Sequence, residues 1–392
     1  MSNGTIFVEQ AAQPALDQRR VEMCEHKGVG HPDSLTDGAC EAAAVALAAA
    51  YVEAFGAVQH FNVDKGLLIA GRSEPRFGGG RVLASAKLIV CGRAADRGGR
   101  VNAPAVAVQA ARDYLRRTLR RGAADNIEVE AAIRAGAANL ERLYGGDPRA
   151  QRANDTSFGV GFAPFSRLER AVLDQAAALR SDAFHQRFPA AGDDFKIMGV
   201  RHAERLQFTV ALALVDCEVA SAARYREIKH AIAEHLSACA PAGASVVVNA
   251  LDDPQATTES GLYLTVSGLS AEMGDDGQVG RGNRLNGLIT PGRAMSLEAA
   301  AGKNPLGHVG KIYNVLAAAM AREICEALPE VDQASVQLVS QIGRPVSEPS
   351  ACFIEIIAKD GITESLRERI RGIARSMLEC SAPRGPFTTL GQ

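Results

Sequence analysis

The chain has 392 residues, 47% apolar and 22% charged, with 38 glycines and 16 prolines. That is the balance of a globular protein with a sizeable core, and it excludes the disordered and collagen-like classes. Lysine plus arginine number 43 against 45 aspartates and glutamates, a net charge of −2, so the bulk positive field of a non-specific nucleic-acid binder is missing and any anion must be met by local clusters.

At about 100–200 residues per domain the length allows two or three domains, or one large interwoven one. The N-terminal stretch lacks a signal-peptide pattern and no run reaches the roughly 18 apolar residues of a membrane span. The eight cysteines form no CxxC pair and have no histidine at zinc-ligand spacing. A cytoplasmic protein with reduced thiols, off the membrane, is the expectation.

In chain order, Val21 to Cys24 is strand-like, and Ala39 to Phe55 reads as an alanine-rich helix capped by Asp33, Ser34 or Thr36 and stopped by Gly56. Leu67 to Ala70 and Ser85 to Cys91 read as strands, Ala105 to Arg121 as a helix and Ile127 to Ile133 as a strand. Leu168 to Leu179 is helical, Leu206 to Val215 a buried strand and Arg224 to Leu236 helical, with strands at Ser245 to Asn249 and Gly261 to Ser267. The last third gives a helix from about Gly310 to Leu328, strands at Ala334 to Ile342 and Ala351 to Ile357, and a helix over Thr363 to Leu378. Strands paired before each helix predict an α+β arrangement of mixed sheets, not a doubly wound parallel one.

Five segments do not suit a core. Gly28-Val29-Gly30-His31-Pro32-Asp33-Ser34 hands a flexible turn to a helix N-terminus, whose free N–H groups favour an anion, and its imidazole and carboxylate suit a phosphate with Mg²⁺. An ordinary helix cap is the competing account. Arg72, Arg76 and the run 77–80 fit a plain connection between strands better than a site. Asn154-Asp155-Thr156-Ser157 offers an amide, a carboxylate and hydroxyls to a ribose or an ammonium, or is a capped turn entering a strand. Asp275-Asp276 followed by Arg281 and Arg284 can hold a divalent cation and a polyphosphate together. Gly302-Lys303 lacks the spacing and the following Ser or Thr of a Walker A loop, yet Lys303 can still meet phosphate as a point charge. The basic stretch Arg112, Arg116, Arg117, Arg120 and Arg121 lacks interleaved stacking aromatics apart from Tyr114, so a solvated face or subunit contact is favoured over RNA.

The phrases GVGHPDSLTDG (28–38), PRFGGG (75–80), NDTSFGVGFAP (154–164), GDDGQVGRGNRLNGLITPGR (274–293), MSLEAAAGKNPLGHVGKIYN (295–314) and SQIGRPVSEP (340–349) together resemble the archaeal-type S-adenosylmethionine synthetase family. The resemblance covers nearly the whole chain. It implies three pseudo-symmetric α+β domains woven from non-contiguous segments, with approximate sub-units 1–150, 151–270 and 271–392, in a homodimer with interfacial active sites. It also implies attack of L-methionine sulfur on C5′ of ATP, then hydrolysis of tripolyphosphate to pyrophosphate and phosphate, with Mg²⁺ required and K⁺ usually activating.

Carried over by resemblance, His31 contacts the oxygen that leaves C5′, Asp33 ligates Mg²⁺, and Arg281 and Lys303 hold the triphosphate. Asp275 and Asp155 reach ribose or the methionine ammonium. His308 stands near methionine, where the bacterial branch has a lysine, and Gly136 and Asn139 stand at a family nucleotide contact. At 60–65 the chain reads His-Phe-Asn-Val-Asp-Lys against the usual His-His-Asn-Thr-Asp-Gln, so Lys65 would bring a tethered ammonium where K⁺ is expected. Two other functions stay in competition: a diverged paralogue acting as a tripolyphosphatase or on another thioether, and a non-catalytic nucleotide- or RNA-binding protein.

Overall fold

Apolar residues alternate with exposed ones along most strands, so each sheet has one face to bury. The computed structural model describes residues 5–137, 144 and 151–380. The first half contains β1 (Ile6–Gln10), β2 (Val21–Lys27), α1 (Pro32–Phe55), β3 (Phe61–Asn62), β4 (Leu67–Ile69), β5 (Arg72–Glu74), β6 (Arg81–Ala84), β7 (Ala86–Ala94), α2 (Ala103–Thr118) and β8 (Ile127–Ala135). Then come β9 (Phe158–Ala163), α3 (Arg167–Arg180), α4 (Asp182–Arg187), β10 (Ala191–His202), β11 (Arg205–Val215), α5 (Ala222–Cys239), β12 (Ser245–Val248) and β13 (Leu264–Thr265). The chain continues through β14 (Gly277–Gln278), α6 (Val309–Ala327), β15 (Val331–Val339), β16 (Ala351–Ala358) and α7 (Glu364–Cys380).

Three larger mixed sheets result, as an α+β chain requires. One runs β1-β16-β15-β9, with β1 parallel to β16 and the other pairs antiparallel. Its core joins Ile6 and Val8 to Tyr313, Met320, Val336, Ile354, Ile370 and Leu378. A second runs β12-β11-β10-β2, with β13 also on β11, over a core of Cys24, Leu168, Phe208, Tyr225 and Leu236. The third runs β14-β4-β7-β3, with β8 parallel to β7, and packs Leu68 and Leu88 against Leu35, Leu47 and Tyr51 of α1 and Leu115 of α2. Each sheet draws on segments far apart in sequence, and β14 carries the 274–291 stretch onto β4 through Gly277 and Leu68.

Several expectations need correction. Helix α1 begins at Pro32, not Ala39, and its cap is His31, whose ring accepts from the Asp33 N–H. Proline at the first helical position costs nothing there, since that N–H has no partner in a helix. Asp33 and Asp37 hid the start of this helix because their carboxylates are satisfied by other segments of the chain, Lys27 of β2 and the Gln278 and Gly280 N–H groups. The 12-residue β10 went unread, since Asp193, Asp194 and Lys196 interrupt its apolar pattern. Of Gly261 to Ser267 only Leu264–Thr265 is strand. The glycine-rich 154–164 segment ends in strand β9, where Gly161 lies against the α6 backbone at Ala317 and Ala318, a contact with no room for a Cβ.

Run length also understated α1. It has 24 residues, and an 18-residue window averages a hydropathy of 1.4, which is long and apolar enough to cross a membrane. Its buried apolar residues from Leu35 to Tyr51 nonetheless belong to the third core.

Candidate active site

His31 sits where β2 turns into α1. Gly30 approaches the Asp193 main chain so closely that a Cβ would fall 2.5 Å from its carbonyl carbon, and the Gly30 N–H donates to the Asp193 carbonyl at 3.0 Å. The turn is thereby pinned to β10. His31 Nδ1 accepts from the Asp33 N–H at 3.2 Å. Burial pushes the imidazole down to about 4, with Asp33 pulling up and Lys27 and Lys196 adding to the fall. The ring is therefore neutral near pH 7, and with Nδ1 used as an acceptor its proton is on Nε2. His31 is a hydrogen-bond donor that needs no positive charge.

Asp33 is buried and meets Lys27 Nζ at 2.8 Å through Oδ2, while Oδ1 accepts from the Gln278 N–H at 2.9 Å. Lys27 Nζ also donates to the Arg281 carbonyl at 2.7 Å. These bonds fasten the 277–284 loop to the first turn of α1, so Arg281 is brought to the His31 side of the fold. The Arg281 side chain is exposed and makes no hydrogen bond or ion pair among the described residues. Arg284 turns inward, donating to the carbonyls of Gly280, Gly282 and Ser296. Asp275 is exposed and accepts from Ser270 Oγ at 3.1 Å. Ser270 in turn bonds Asp194, next to the residue that holds Gly30.

A second group gathers at the start of α6. Lys303 is 3% exposed, and its ammonium lies 2.9 Å from Asp64 Oδ2 and 3.0 Å from Glu298 Oε2. Burial alone would raise the Asp64 carboxyl, but Lys303 and Lys65 outweigh it and hold it below the usual range. The Lys65 ammonium stands 2.6 Å from Asp64 Oδ1. His308 caps α6 as His31 caps α1: its Nδ1 accepts from the Gly310 N–H at 3.2 Å, and burial first, then Lys303, push it to about 4. Asp155 is exposed on the neighbouring turn, which Asn154 ties to this group through Val309 N–H and the Gly307 carbonyl. Gly136 follows β8 at the sheet end where Ala94 pairs with both Ala135 and Phe61. Asn139 lies outside the described residues.

The sequence-predicted residues thus fall into two groups: His31, Asp33, Arg281 and Asp275 on one side, Lys303, His308 and Asp155 on the other. On α1, Asp33 belongs to the first group and Glu41 accepts from the Gly302 N–H beside the second; the two are eight positions apart, about 12 Å along the helix at 1.5 Å per residue. Sequence reasoning missed Lys27, Asp37, Glu41, Asp64, Glu298 and Lys311. The spacing Asp33, Asp37, Glu41 was the available signal, because i, i+4, i+8 carboxylates share a helix face. Of the basic stretch, Arg120 and Arg121 lie beyond the end of α2 at Thr118, not in the helix expected to reach Arg121; Arg120 pairs with Asp182 and Asp193, and Arg121 with Glu218. Those two are structural contacts within the chain. The 77–80 run joins β5 to β6 and is held by Asp216, as a connection would be.

Residues 4–382 match the family described as "S-adenosylmethionine synthetase (AdoMet synthetase)". The chain belongs to the S-adenosylmethionine synthetase family. It is 41% identical over 382 residues to the S-adenosylmethionine synthase of Methanothermobacter marburgensis, covering 95% of each chain, and 44% identical over 366 residues to that of Pyrococcus horikoshii, covering 91% and 90%. Its fold is similar to a solved structure titled an unusual S-adenosylmethionine synthetase from Campylobacter jejuni, with a TM-score of 0.61, 14% identity and 94% of each chain covered.

Two places merit a test as metal positions in this family member. Asp64, Glu298 and His308 present ligand atoms within 4.8 Å of one another, but the Lys303 ammonium already bridges both carboxylates. At Asp33 the Lys27 ammonium meets Oδ2 only and Oδ1 carries one N–H bond, so Oδ1 would be the oxygen offered to Mg²⁺, which takes one or two carboxylates plus substrate phosphates and keeps several waters. Each carboxylate oxygen has two lone-pair sites, so the bonds to Lys27 and Gln278 leave capacity for an ion.

Proposed function

We infer that the chain makes S-adenosylmethionine from ATP and L-methionine. Sulfur attacks C5′, the C5′–O bond breaks with its electron pair going to oxygen, and tripolyphosphate leaves and is hydrolysed to pyrophosphate and phosphate. A thioether sulfur has no proton to lose, so no general base is required, and the barrier falls through alignment and through stabilisation of the leaving group. Holding reactants in line is worth up to roughly 7–11 kcal/mol, and each preorganised donor on developing charge about 2.7–4 kcal/mol.

The observation that carries this reading is the fastening of the Arg281 loop to the His31 cap through Lys27 and Asp33. It supports His31 Nε2–H as donor to the departing oxygen and Arg281 as a cation on the triphosphate, with Lys303 as the second cation. Mg²⁺ held by Asp33 would supply a Lewis acid that neutralises phosphate charge. Asp275 and Asp155 bind ribose or the methionine ammonium, and the neutral His308 faces methionine. Gly136 and Asn139 complete the nucleotide side.

Exposed apolar side chains on the strands, among them Phe7, Met23, Leu67, Ile69, Phe158 and Val247, support a homodimer closed over these faces. Purified protein, ATP, L-methionine and Mg²⁺, with and without K⁺, test the reaction by product mass. If no S-adenosylmethionine forms while tripolyphosphate is still cleaved, the diverged-paralogue function takes its place.

A further inference from the structure

Helix α1 carries two carboxylates that substrate contact does not explain. Asp37 Oδ1 accepts from the Gly280 N–H at 2.7 Å. One turn further on, Glu41 Oε2 accepts from the Gly302 N–H at 3.0 Å, and both Glu41 oxygens hold Lys311 Nζ, at 2.7 and 2.8 Å. Gly280 and Gly302 immediately precede Arg281 and Lys303. Each carboxylate therefore grips the main chain one residue before a candidate phosphate-binding cation.

A cavity of about 1260 Å³ is bounded by α1, α2 and α6, and Asp37, Glu41, Arg284 and residues 299–301 line it, whereas Arg281 and Lys303 are not among its lining residues. Asp37 and Glu41 thus reach the two loops from the cavity side, through main-chain N–H groups and not through the Arg281 or Lys303 side chains. Four helical residues advance about 6 Å, so a rigid helix fixes the step between the two gripped glycines. Charge-assisted bonds to backbone N–H groups are roughly twice as strong as neutral ones, which suits an anchor for otherwise irregular loops.

The geometry points to Asp37 and Glu41 as positioning residues that set the spacing of the two cationic loops for one polyphosphate. The proposal rests on Arg281 and Lys303 holding that polyphosphate. It adds a specificity consequence: affinity for a three-phosphate chain depends on side chains that never touch it.

The test is equilibrium binding of inorganic tripolyphosphate with Mg²⁺ to the full chain, by titration calorimetry, in the parent, Asp37→Asn and Glu41→Gln. Asparagine keeps the volume and one acceptor, so Asp37→Asn retains the fold. Glu41→Gln leaves buried Lys311 without its partner, so Glu41→Gln/Lys311→Met is the control that removes both charges. Hydrogen exchange at the 280–284 and 302–304 amides accompanies each measurement.

The expected result is tripolyphosphate affinity at least fivefold weaker in Asp37→Asn and in the double variant, with faster exchange confined to the gripped loop. Affinity changed less than fivefold in both variants, or faster exchange spread over the whole third sheet, overturns the proposal. Because binding is read and not turnover, a parent that binds tripolyphosphate but makes no S-adenosylmethionine would count against the proposed reaction while leaving this result standing.

Discussion

Replacing Lys303 by methionine separates electrostatics from packing, because the two side chains are similar in length and only one carries charge. The ammonium is buried and bridges Asp64 and Glu298 at 2.9 and 3.0 Å. Removing one partner of a buried pair costs 3–5 kcal/mol as a rule. Lys65 still faces Asp64 at 2.6 Å, and the Glu298 side chain is 30% exposed, so the low end, about 3 kcal/mol, is expected. Catalysis should suffer separately: loss of one preorganised cation lowers kcat by about 10²–10³.

The second variant is Asp64→Asn/Lys303→Met, which removes the carboxylate left most deeply buried. Thermal unfolding should recover part of the lost stability in the double variant while kcat, measured by S-adenosylmethionine formation well below the melting range, stays at the level of the single variant. If turnover returns together with stability, Lys303 is a structural ion-pair partner and its place on the triphosphate is refuted. A single variant within tenfold of the parent kcat would refute it equally.

For His31→Asn, kcat should drop by roughly 10², one lost donor's worth. The parent's kcat should show no loss between pH 6 and 8 traceable to this imidazole, since the group titrates near 4 and donates while neutral; a His31-dependent break in rate near pH 6.5 would contradict that. Asp194 is fully enclosed and burial raises its carboxyl from 3.8 to about 7. A raised acid contributes stability at low pH that is lost as pH rises through the folded value, so Asp194→Asn should be more stable than the parent at pH 9 by up to about 4 kcal/mol. Thermal unfolding from pH 5 to 9 should show the gap closing toward pH 5, and a constant gap would rule out this assignment. Charging the exposed strand faces with Leu67→Glu/Phe158→Glu should convert a dimer to monomers in light scattering; an unchanged mass would place the subunit contact elsewhere.

The candidate site residues were legible locally. Gly30-His31-Pro32-Asp33, Asp275, Arg281 and Gly302-Lys303 stand out because glycine beside charge fits neither helical nor strand periodicity, and Asp155 because it sits in a run of amide and hydroxyl residues; the helices and strands with strong apolar patterns could be placed from that periodicity. What the chain's order does not encode is who satisfies whom. Asp33 finds Lys27 six residues away, but Lys311 finds Glu41 across 270 positions, and Asn283 bonds Lys27 across 256. Those partners are chosen by sheets assembled from distant strands.

The same assembly decided the start of α1 and the existence of β10. A carboxylate such as Asp37 or Asp194 looks like a solvent-facing residue until another segment covers it and supplies donors. Charge state followed burial in turn: His31 and His308 are ordinary histidines in sequence, and only their enclosure at two helix starts lowers them to about 4 and fixes which nitrogen carries the proton. Local composition determines which groups a loop can offer. Desolvation and pairing, which depend on all three sheets at once, determine what those groups are able to do.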